Sequence, residues 1–406
     1  MRFAQRMLLF AVIWLLAMTP APGAEPHSGT KDTLEVSLLT CAPGSNVYEL
    51  YGHTALRVRN TVSGEDMVFN YGIFDFRTPH FAWRFMMGRT DYILGAVPFS
   101  HFVLSYMKEG RSVEAQVLNL TPDECTRLST SLAETFRKVC NEGWTYRYNF
   151  LYDNCTTRAI DEITRAVKGQ VKWPSAERGK TFRGIINEHA AEASPWYRFG
   201  QDLILGAETD APIGLRGQMF APLYAARFAD SASIITPDGQ IRPLVKSKTM
   251  VAEFATHAEI RFPLSPMAAC CLLLLLTIAV CTGEWHKGKI RHWFDNLLLL
   301  LMGSTGCIVA LLFFLSEHPA VGSNALILLI NPLPLVYIPW KIWRERHHRE
   351  TYFTQIIAVL LCLFCASRLF IFQKFPAEIY VLALCLLVRV ISETLFKKTS
   401  QLHYHK

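Results

Sequence analysis

Two residues in this sequence are well suited to covalent chemistry together, a histidine and a cysteine far apart in the chain. His53 stands where a predicted strand begins, and Cys155 stands in the first turn of a predicted helix. Backbone N–H groups in a first turn lack helical partners and the helix dipole is positive there, so a thiolate is stabilised. A nearby imidazole would complete a Cys–His nucleophile, and the same N–H groups could stabilise an oxyanion.

A third group is needed to orient the imidazole, and Asn70 is in a suitable place if its strand pairs with the strand of His53. Asn154 and Arg158, beside the thiol, are candidates for positioning a substrate. Alternative readings stay open at this point. Cys155 would then be a buried structural thiol and His53 a satisfied turn residue, while Asn154 caps its helix and Arg158 is a solvated charge.

The elements around these residues predict an α+β domain with an antiparallel sheet. Apolar and polar residues alternate in five stretches, which predicts strands over 34–40, 54–59, 67–71, 92–97 and 113–118. Thr121, Pro122 and Glu124 form a capping-box signature that opens a helix reaching about Cys140. Cys125 and Cys140 are then about 22 Å apart on one helix and cannot bridge each other. The pattern leaves open whether Cys41 pairs with either.

The C-terminal part predicts a membrane domain of about five helices. Apolar segments at 263–282, 295–315, 324–340, 353–372 and 376–395 approach the length that crosses roughly 30 Å of hydrocarbon. Basic residues concentrate in alternate loops and in the tail, so those loops are predicted to be cytoplasmic. Much of the net charge of +7 therefore reports membrane orientation, and no nucleic-acid partner is expected.

The N-terminus has the form of an export signal, with Arg2 and Arg6 before a short apolar stretch and small residues at 21–24. We therefore predict a multi-pass inner-membrane protein with a periplasmic N-terminal domain and a cytoplasmic C-terminus. The predicted organisation is a signal peptide at 1–24, a periplasmic Cys–His domain at 25–170, a periplasmic extension near the membrane at 171–262, a transmembrane domain at 263–396 and a cytoplasmic tail at 397–406.

Polar residues in the membrane half are candidate lipid contacts. His318, Asn324 and Asn331 cluster at the predicted outer end of the second and third spans, where they bind lipid headgroups or, alternatively, cap helices. Arg368 lies near the outer end of a span and could meet a phosphate. Arg389 is expected to reach the cytoplasmic face by extending its side chain. No metal or cofactor is expected.

The order of these residues, a strand histidine first and a helix-start cysteine later, resembles the circularly permuted papain-like hydrolases and acyltransferases. More specifically, the chain resembles the lipoprotein N-acyltransferase family called Lnb. The matching stretches run through both halves of the chain: 39–58, 69–76, 148–161 with its YDNCTTR block, 194–210 and 316–333. The family's catalytic Cys and His fall on Cys155 and His53.

The resemblance implies a transfer in two steps. A membrane phospholipid donates an acyl chain to Cys155 as a thioester, and the α-amine of the S-diacylglyceryl cysteine of an apolipoprotein then accepts it. The implied partners are the phospholipid donor, diacylglyceryl apolipoproteins and the lipid bilayer. Two other functions remain open: a membrane-anchored NlpC-type cysteine hydrolase of the cell wall, and a non-catalytic membrane-tethered binding or assembly protein.

Overall fold

The structure is a computed structural model, and it describes residues 34–44, 46, 49–74, 78–254 and 262–404. The predicted signal peptide lies outside these residues. The chain divides into two compact units, one formed by residues up to 81 with 89–178 and 213–258, the other by 82–88, 179–212 and 259–406.

A seven-stranded antiparallel sheet is the frame of the first unit. Its strands follow the order β10-β5-β1-β2-β3-β4-β6. Their bounds are β1 Leu34–Cys41, β2 His53–Asn60, β3 Asp66–Ile73, β4 Asp91–Pro98, β5 Val113–Leu118, β6 Tyr146–Arg147 and β10 Val245–Ala252. The five predicted strands are β1 to β5, and each lies within two residues of its predicted bounds. β10 was not predicted, because residues after about 170 show no clean apolar period.

Helices pack on this sheet and bring the two parts of the site together. The helices of this unit are α2 Phe99–Lys108, α3 Pro122–Glu142 and α4 Cys155–Ala166, and the preceding helix, α1 Phe81–Met86, lies almost entirely in the second unit. α3 begins at the predicted capping box, since Thr121 accepts from the N–H of Glu124 and the Glu124 carboxylate accepts from the N–H of Thr121. α4 packs on β2 and β3. α2 places Phe102 against Leu39 and Val68 in the buried core of the sheet.

The first unit is completed by a small three-stranded sheet and two further helices. The small sheet has the order β7-β8-β9 and consists of β7 Gln170–Lys172, β8 Ser233–Ile235 and β9 Ile241–Pro243. The helices are α7 Leu215–Gln218 and α8 Pro222–Ser231. The stretch at 171–262 is thus shared between the units, because 179–212 belongs to the second one.

The second unit is helical. Its helices are α5 Phe182–Ala193, α6 Pro195–Ile204, α9 Pro266–Lys287, α10 His292–Leu315, α11 Leu333–Arg346, α12 Phe353–Ser367 and α13 Ala377–Tyr404. Phe294, Leu298, Phe353, Ile357 and Ile379 belong to its buried apolar core. In the described part of the chain, four helical segments are long and apolar enough to cross a membrane, at 266–287, 292–315, 325–346 and 377–399.

The fourth predicted span is shorter in the structure than in the prediction. α12 has 15 residues, about 22 Å at 1.5 Å per residue, which is less than the roughly 30 Å of a hydrocarbon core. The third span is also interrupted, because its first residues form a 3₁₀ turn at Ala325–Leu328 and α11 begins only at Leu333. Pro332 and Pro334 stand at the start of α11 and favour this break.

The prediction that Arg389 extends to the membrane face is wrong. Its side chain is fully buried and forms ion pairs with Glu284 of α9 and Asp295 of α10, the latter at 2.6 Å between Nε and Oδ1. Lys341 of α11 lies 3.7 Å from the same Asp295 carboxylate. A charge inside an apolar bundle is stable only with such partners, so these four helices are tied together at this level.

Candidate active site

The pairing of β2 with β3 sets His53 and Asn70 side by side. Leu56 faces Phe69 across the two strands. The same register, continued to the start of β2, places His53 opposite Gly72 and Asn70 one diagonal step away on the same face, within reach of a long side chain. His53 Nε2 lies 3.1 Å from Asn70 Oδ1. This bond leaves the other ring nitrogen, Nδ1, for the thiol.

The first turn of α4 holds Cys155 through a dense set of hydrogen bonds. Asn154 Oδ1 accepts from the N–H groups of Thr156 and Thr157, both at 2.9 Å, and its Nδ2 donates to the carbonyls of Phe150 and Phe220. Every polar atom of the Asn154 amide is therefore used within the protein, and the residue is buried. Its contacts are those of a helix cap.

A second set of contacts joins this turn to the strand of His53. The hydroxyls of Thr54 and Thr156 lie 3.0 Å apart, so a hydrogen bond joins the residue after His53 to the residue after Cys155. The Thr156 hydroxyl is also 3.8 Å from Cys155 Sγ. The helix start and the strand start are thereby fixed against each other, which places the thiol beside the imidazole.

The surroundings of Cys155 favour its thiolate at neutral pH. Burial by itself raises the pKa of Cys155, but the imidazolium charge of His53 and hydrogen bonds from His53, Thr54 N–H and Thr156 outweigh it and lower the pKa to about 7. Burial lowers the pKa of His53, while the Cys155 charge and the bonds to Cys155 and Asn70 raise it above its ordinary value. A thiolate–imidazolium pair is therefore well populated near pH 7.

A second buried thiol in the same sheet behaves in the opposite way. Cys41 lies directly opposite His53 in the β1–β2 register and is fully buried. Burial raises the pKa of Cys41 to about 12, and its hydrogen bond with Tyr106 offsets only part of this effect. Burial alone therefore raises the pKa of a thiol in this domain and keeps it protonated, whereas the partners of Cys155 lower its pKa despite burial.

The first turn of α4 keeps one backbone donor beside the thiol. Asn154 occupies the N–H groups of Thr156 and Thr157, and Arg158 N–H donates to the Asn154 carbonyl. The N–H of Cys155 has no hydrogen-bond acceptor within the described residues. A donor on the nucleophile's own residue is placed where the oxygen of an attacked carbonyl would develop charge.

Tyr148, like Thr54 and Thr156, is a residue of the site that sequence reasoning missed. Burial, followed by the negative charge of Cys155 and the hydrogen bonding of the tyrosine hydroxyl with it, holds the pKa of Tyr148 well above the ordinary value, so the hydroxyl stays protonated and can donate. Its ring stacks on Tyr92 with 4.2 Å between centroids. Tyr148 lies in the loop before α4, where no apolar period marks a residue, and only its nearness to Cys155 in the chain hinted at a role.

Gly72 lies beside Tyr148 and Cys155 in a backbone conformation that favours glycine. A Cβ at Gly72 would lie 3.5 Å from the Tyr148 ring and 3.7 Å from Cys155 Cβ. Those distances are ordinary van der Waals contacts, but the backbone φ of +88° disfavours any residue with a side chain. The β3–β4 register also shifts between Tyr71 and Ile73, so the strand bulges at this point.

Arg158 and Arg368 find protein partners in the structure. Arg158 forms a bidentate pair with Asp153, with Nε–Oδ1 at 2.6 Å and Nη2–Oδ2 at 2.7 Å, and lies 3.6 Å above the centroid of the Tyr146 ring. It is thus held in place rather than freely solvated. Arg368 donates to the Gln373 carbonyl and lies over the ring of Phe375.

The other predicted lipid contacts lie in the second unit. Asn324 is buried; its Nδ2 donates to the Leu203 carbonyl, and its Oδ1 accepts hydrogen bonds from the Leu326 N–H and the Gln373 side chain. Asn331 accepts from the N–H of Leu333 at the start of α11. His318 Nε2 is 2.9 Å from the Phe85 carbonyl. These contacts are those expected of capping and bracing residues, the alternative that the sequence left open.

Asp202 and Asp210, whose roles the sequence leaves undefined, surround a buried arginine. Arg183 donates from Nε to Asp210 and from Nη1 to the side chain and carbonyl of Asp202; Nη2 donates to the carbonyls of Leu205 and Gly206. The Asp210 carboxylate also accepts from the N–H of Lys374. These three residues, the Arg183 cluster, connect the segment at 179–212 to the loop before α13.

The cysteines are free in the structure, including all four of the exported half: Cys41, Cys125, Cys140 and Cys155. Among the described residues, no group of three or more His, Cys, Asp or Glu side chains is arranged to hold a metal ion.

Fold and site together define a membrane protein whose antiparallel-sheet domain carries a Cys–His pair with a lowered thiol pKa. Two family models identify it further: the Lnb N-terminal periplasmic domain matches residues 28–186, and the Lnb transmembrane domain matches residues 257–401. The chain belongs to the Lnb family. No curated protein and no solved structure matches the chain.

Proposed function

We propose that this protein is a lipoprotein N-acyltransferase that carries an acyl chain on Cys155. The observation that supports this most is a buried thiol whose pKa the neighbouring His53 lowers to about 7, within a chain of the Lnb family. A thioester suits the task, because it reacts with an amine more readily than with water when the site is dry. The domain itself is proposed to be of the permuted papain-like type.

In the first step the Cys155 thiolate attacks an ester carbonyl of a membrane phospholipid, forming a C–S bond. The oxygen of the tetrahedral intermediate accepts hydrogen bonds from the Cys155 N–H and the Tyr148 hydroxyl. Collapse breaks the C–O bond to glycerol, and the His53 imidazolium protonates the departing oxygen. Asn70 holds the imidazole in the required orientation. The lyso-phospholipid leaves, and the acyl chain remains on sulfur.

In the second step the free α-amine of an S-diacylglyceryl cysteine attacks the thioester. Neutral His53 takes the proton from the attacking nitrogen, the C–S bond breaks, and Cys155 leaves as a thiolate. The product is an amide, and the site returns to its starting state. Arg158, His318 and Arg368 are proposed to act near the lipid headgroups, whereas the contacts of Asn154, Asn324 and Asn331 favour a bracing role for these three.

The proposed topology has both lipid substrates reaching the site from the periplasmic side of the inner membrane. Several contacts within the second unit support it. Trp196 donates a hydrogen bond to the carbonyl of Leu264, just before α9. The N–H of Gly206 donates to the carbonyl of Ala320, after α10, and the Gln373 side chain, before α13, donates to the carbonyl of Leu205. The start of α9, the end of α10 and the start of α13 therefore share one side, which favours a cytoplasmic C-terminus after five crossings.

Intact-mass analysis of the purified protein in lipid tests the proposal. Wild type is compared with Cys155→Ala and His53→Ala, with and without a peptide that bears a diacylglyceryl cysteine. We expect an acyl adduct on wild type that moves to the peptide amine, and no adduct on Cys155→Ala. Cys41→Ala is the matched control, since it removes a buried thiol whose pKa is raised, and it should keep both adduct and product.

The outcomes separate the competing functions. A lyso-phospholipid with a free fatty acid and no N-acylated peptide would indicate a lipid hydrolase, and a cut muropeptide would indicate a cell-wall hydrolase. A folded wild-type protein that forms no adduct and no product with both lipids present would contradict the proposal and favour a binding or assembly role.

A further inference from the structure

The short helix α1 exposes two aromatic side chains, which the catalytic site does not use. Trp83 is 47% exposed and Phe85 is 41% exposed. No residue of α1 is buried. Arg84 stands between the two aromatic residues in the sequence. Trp and Phe beside a basic residue are typical of segments that lie at the boundary between lipid headgroups and acyl chains.

The end of this helix is anchored at the end of a candidate membrane span. α10 ends at Leu315, and the three residues that follow form hydrogen bonds with the backbone at the end of α1. Ser316 Oγ donates to the Met86 carbonyl at 3.0 Å, Glu317 N–H donates to the Met87 carbonyl at 2.9 Å, and His318 Nε2 is 2.9 Å from the Phe85 carbonyl.

Gly88 allows the same close approach. Its φ is +71°, and a Cβ there would lie 3.0 Å from the backbone nitrogen of His318. A side chain at this position would therefore strain the backbone and push against the loop that follows α10. The level of α1 along the bundle axis is thus fixed at the end of α10.

The last turn of that span also exposes large apolar side chains. Phe314 and Leu315, at the last turn of α10, are 70% and 53% exposed. Side chains this apolar are covered by lipid when the helix crosses a membrane. α1 also falls within the part of the chain that matches the periplasmic domain of the family. The end of α10 is then the periplasmic end, and α1 lies at the outer lipid interface.

We propose that α1 is a lipid-docking element whose Trp83 and Phe85 insert into the outer leaflet beside the end of α10. Its partner is the glycerophospholipid bilayer. The inference that docking serves catalysis rests on the proposed acyl transfer, whereas insertion itself does not. The insertion of α1 also gives His318 a defined task, because its ring holds the α1 backbone at the interface.

Photocrosslinking tests insertion without any need for activity. p-Benzoylphenylalanine replaces Trp83 or Phe85 in the full-length protein, reconstituted in nanodiscs of phosphatidylethanolamine and phosphatidylglycerol. Val62 and Ile241, which are 60% and 67% exposed in the sheet unit, serve as matched control positions. We expect covalent lipid adducts at 83 and 85 and none at the two controls. No adduct at 83 and 85, or equal adducts at all four positions, would overturn the proposal.

An activity comparison then tests the link to catalysis. Trp83→Ser/Phe85→Ser is compared with Val62→Ser/Ile241→Ser in vesicles and with a water-soluble short-chain p-nitrophenyl ester. We expect acyl transfer from vesicles to fall about tenfold for the first pair alone, with turnover of the soluble ester unchanged. Equal loss with both donors would overturn the docking role. If wild type transfers no acyl chain while lipid adducts still form, the proposed reaction fails and insertion stands.

Discussion

The Cys155 site and the Arg183 cluster are both buried polar assemblies, yet they are completed in different ways. Arg183 uses all three guanidinium nitrogens on five oxygen atoms of Asp202, Leu205, Gly206 and Asp210. The Cys155 site keeps a nucleophile with a pKa of about 7 and a backbone donor with no acceptor in the described chain. A saturated cluster contributes stability and position, whereas a site for chemistry retains donors for a group that arrives later.

The largest expected effect is the loss of stability on removing the guanidinium of the Arg183 cluster. Arg183→Met leaves two buried carboxylates without their partner, so we expect the free energy of unfolding to fall by about 3–5 kcal/mol. Chemical or thermal unfolding in detergent measures it. Arg198→Met is the matched control, because Arg198 is half-exposed and 3.9 Å from Asp202, and it should cost less than about 1 kcal/mol. Equal costs would mean that burial of the cluster contributes little.

Removing one hydroxyl from the Cys155 site should instead lower activity and leave stability nearly unchanged. Tyr148→Phe keeps the ring that stacks on Tyr92 and removes a donor to the intermediate, so we expect kcat to fall about 100-fold with little change in unfolding. Single-turnover acylation of Cys155 measures it. Tyr71→Phe, which removes a hydroxyl 3.3 Å from Glu162, should leave kcat per folded molecule unchanged. A Tyr148→Phe enzyme with normal kcat would remove Tyr148 from the mechanism.

The pH dependence of the thiol sharpens the comparison further. In wild type, the alkylation rate of Cys155 should rise with pH through a midpoint near 7, because the thiolate forms there. His53→Ala removes the counter-charge and leaves the burial, so the pKa should return to or exceed its ordinary 9.0. At pH 7 the thiolate fraction then falls from about one half to about 1%, and alkylation slows about 50-fold.

Peptide mass spectrometry reads this rate at each cysteine separately. Cys140 is the internal control, since only burial raises its pKa, and its alkylation should not respond to His53→Ala. Wild type and variant should converge at pH values above both pKa values, where each thiol is ionised. If the two rates differ by the same factor at every pH, the imidazole controls access to Cys155 rather than its ionisation.

Local patterns were enough to predict the elements that carry the site. Strand alternation placed β1 to β5, and the capping box placed the start of α3. The polar residues before Cys155 placed the thiol at a helix N-terminus, and pairing of neighbouring strands was enough to bring Asn70 to His53. These features depend on residues close in sequence or on a short strand connection, where the spacing itself limits the geometry.

Tertiary structure alone decided the contacts made over long sequence distances. β10 joins β5 as an edge strand, Tyr148 reaches the thiol, Arg183 gathers Asp202 and Asp210, and α1 is bonded to the end of α10. None of these partners has a fixed spacing, so no periodic pattern marks them. Residue types and spacing therefore determined the chemistry this protein can carry out, whereas packing decided which groups saturate each other and which remain available beside Cys155.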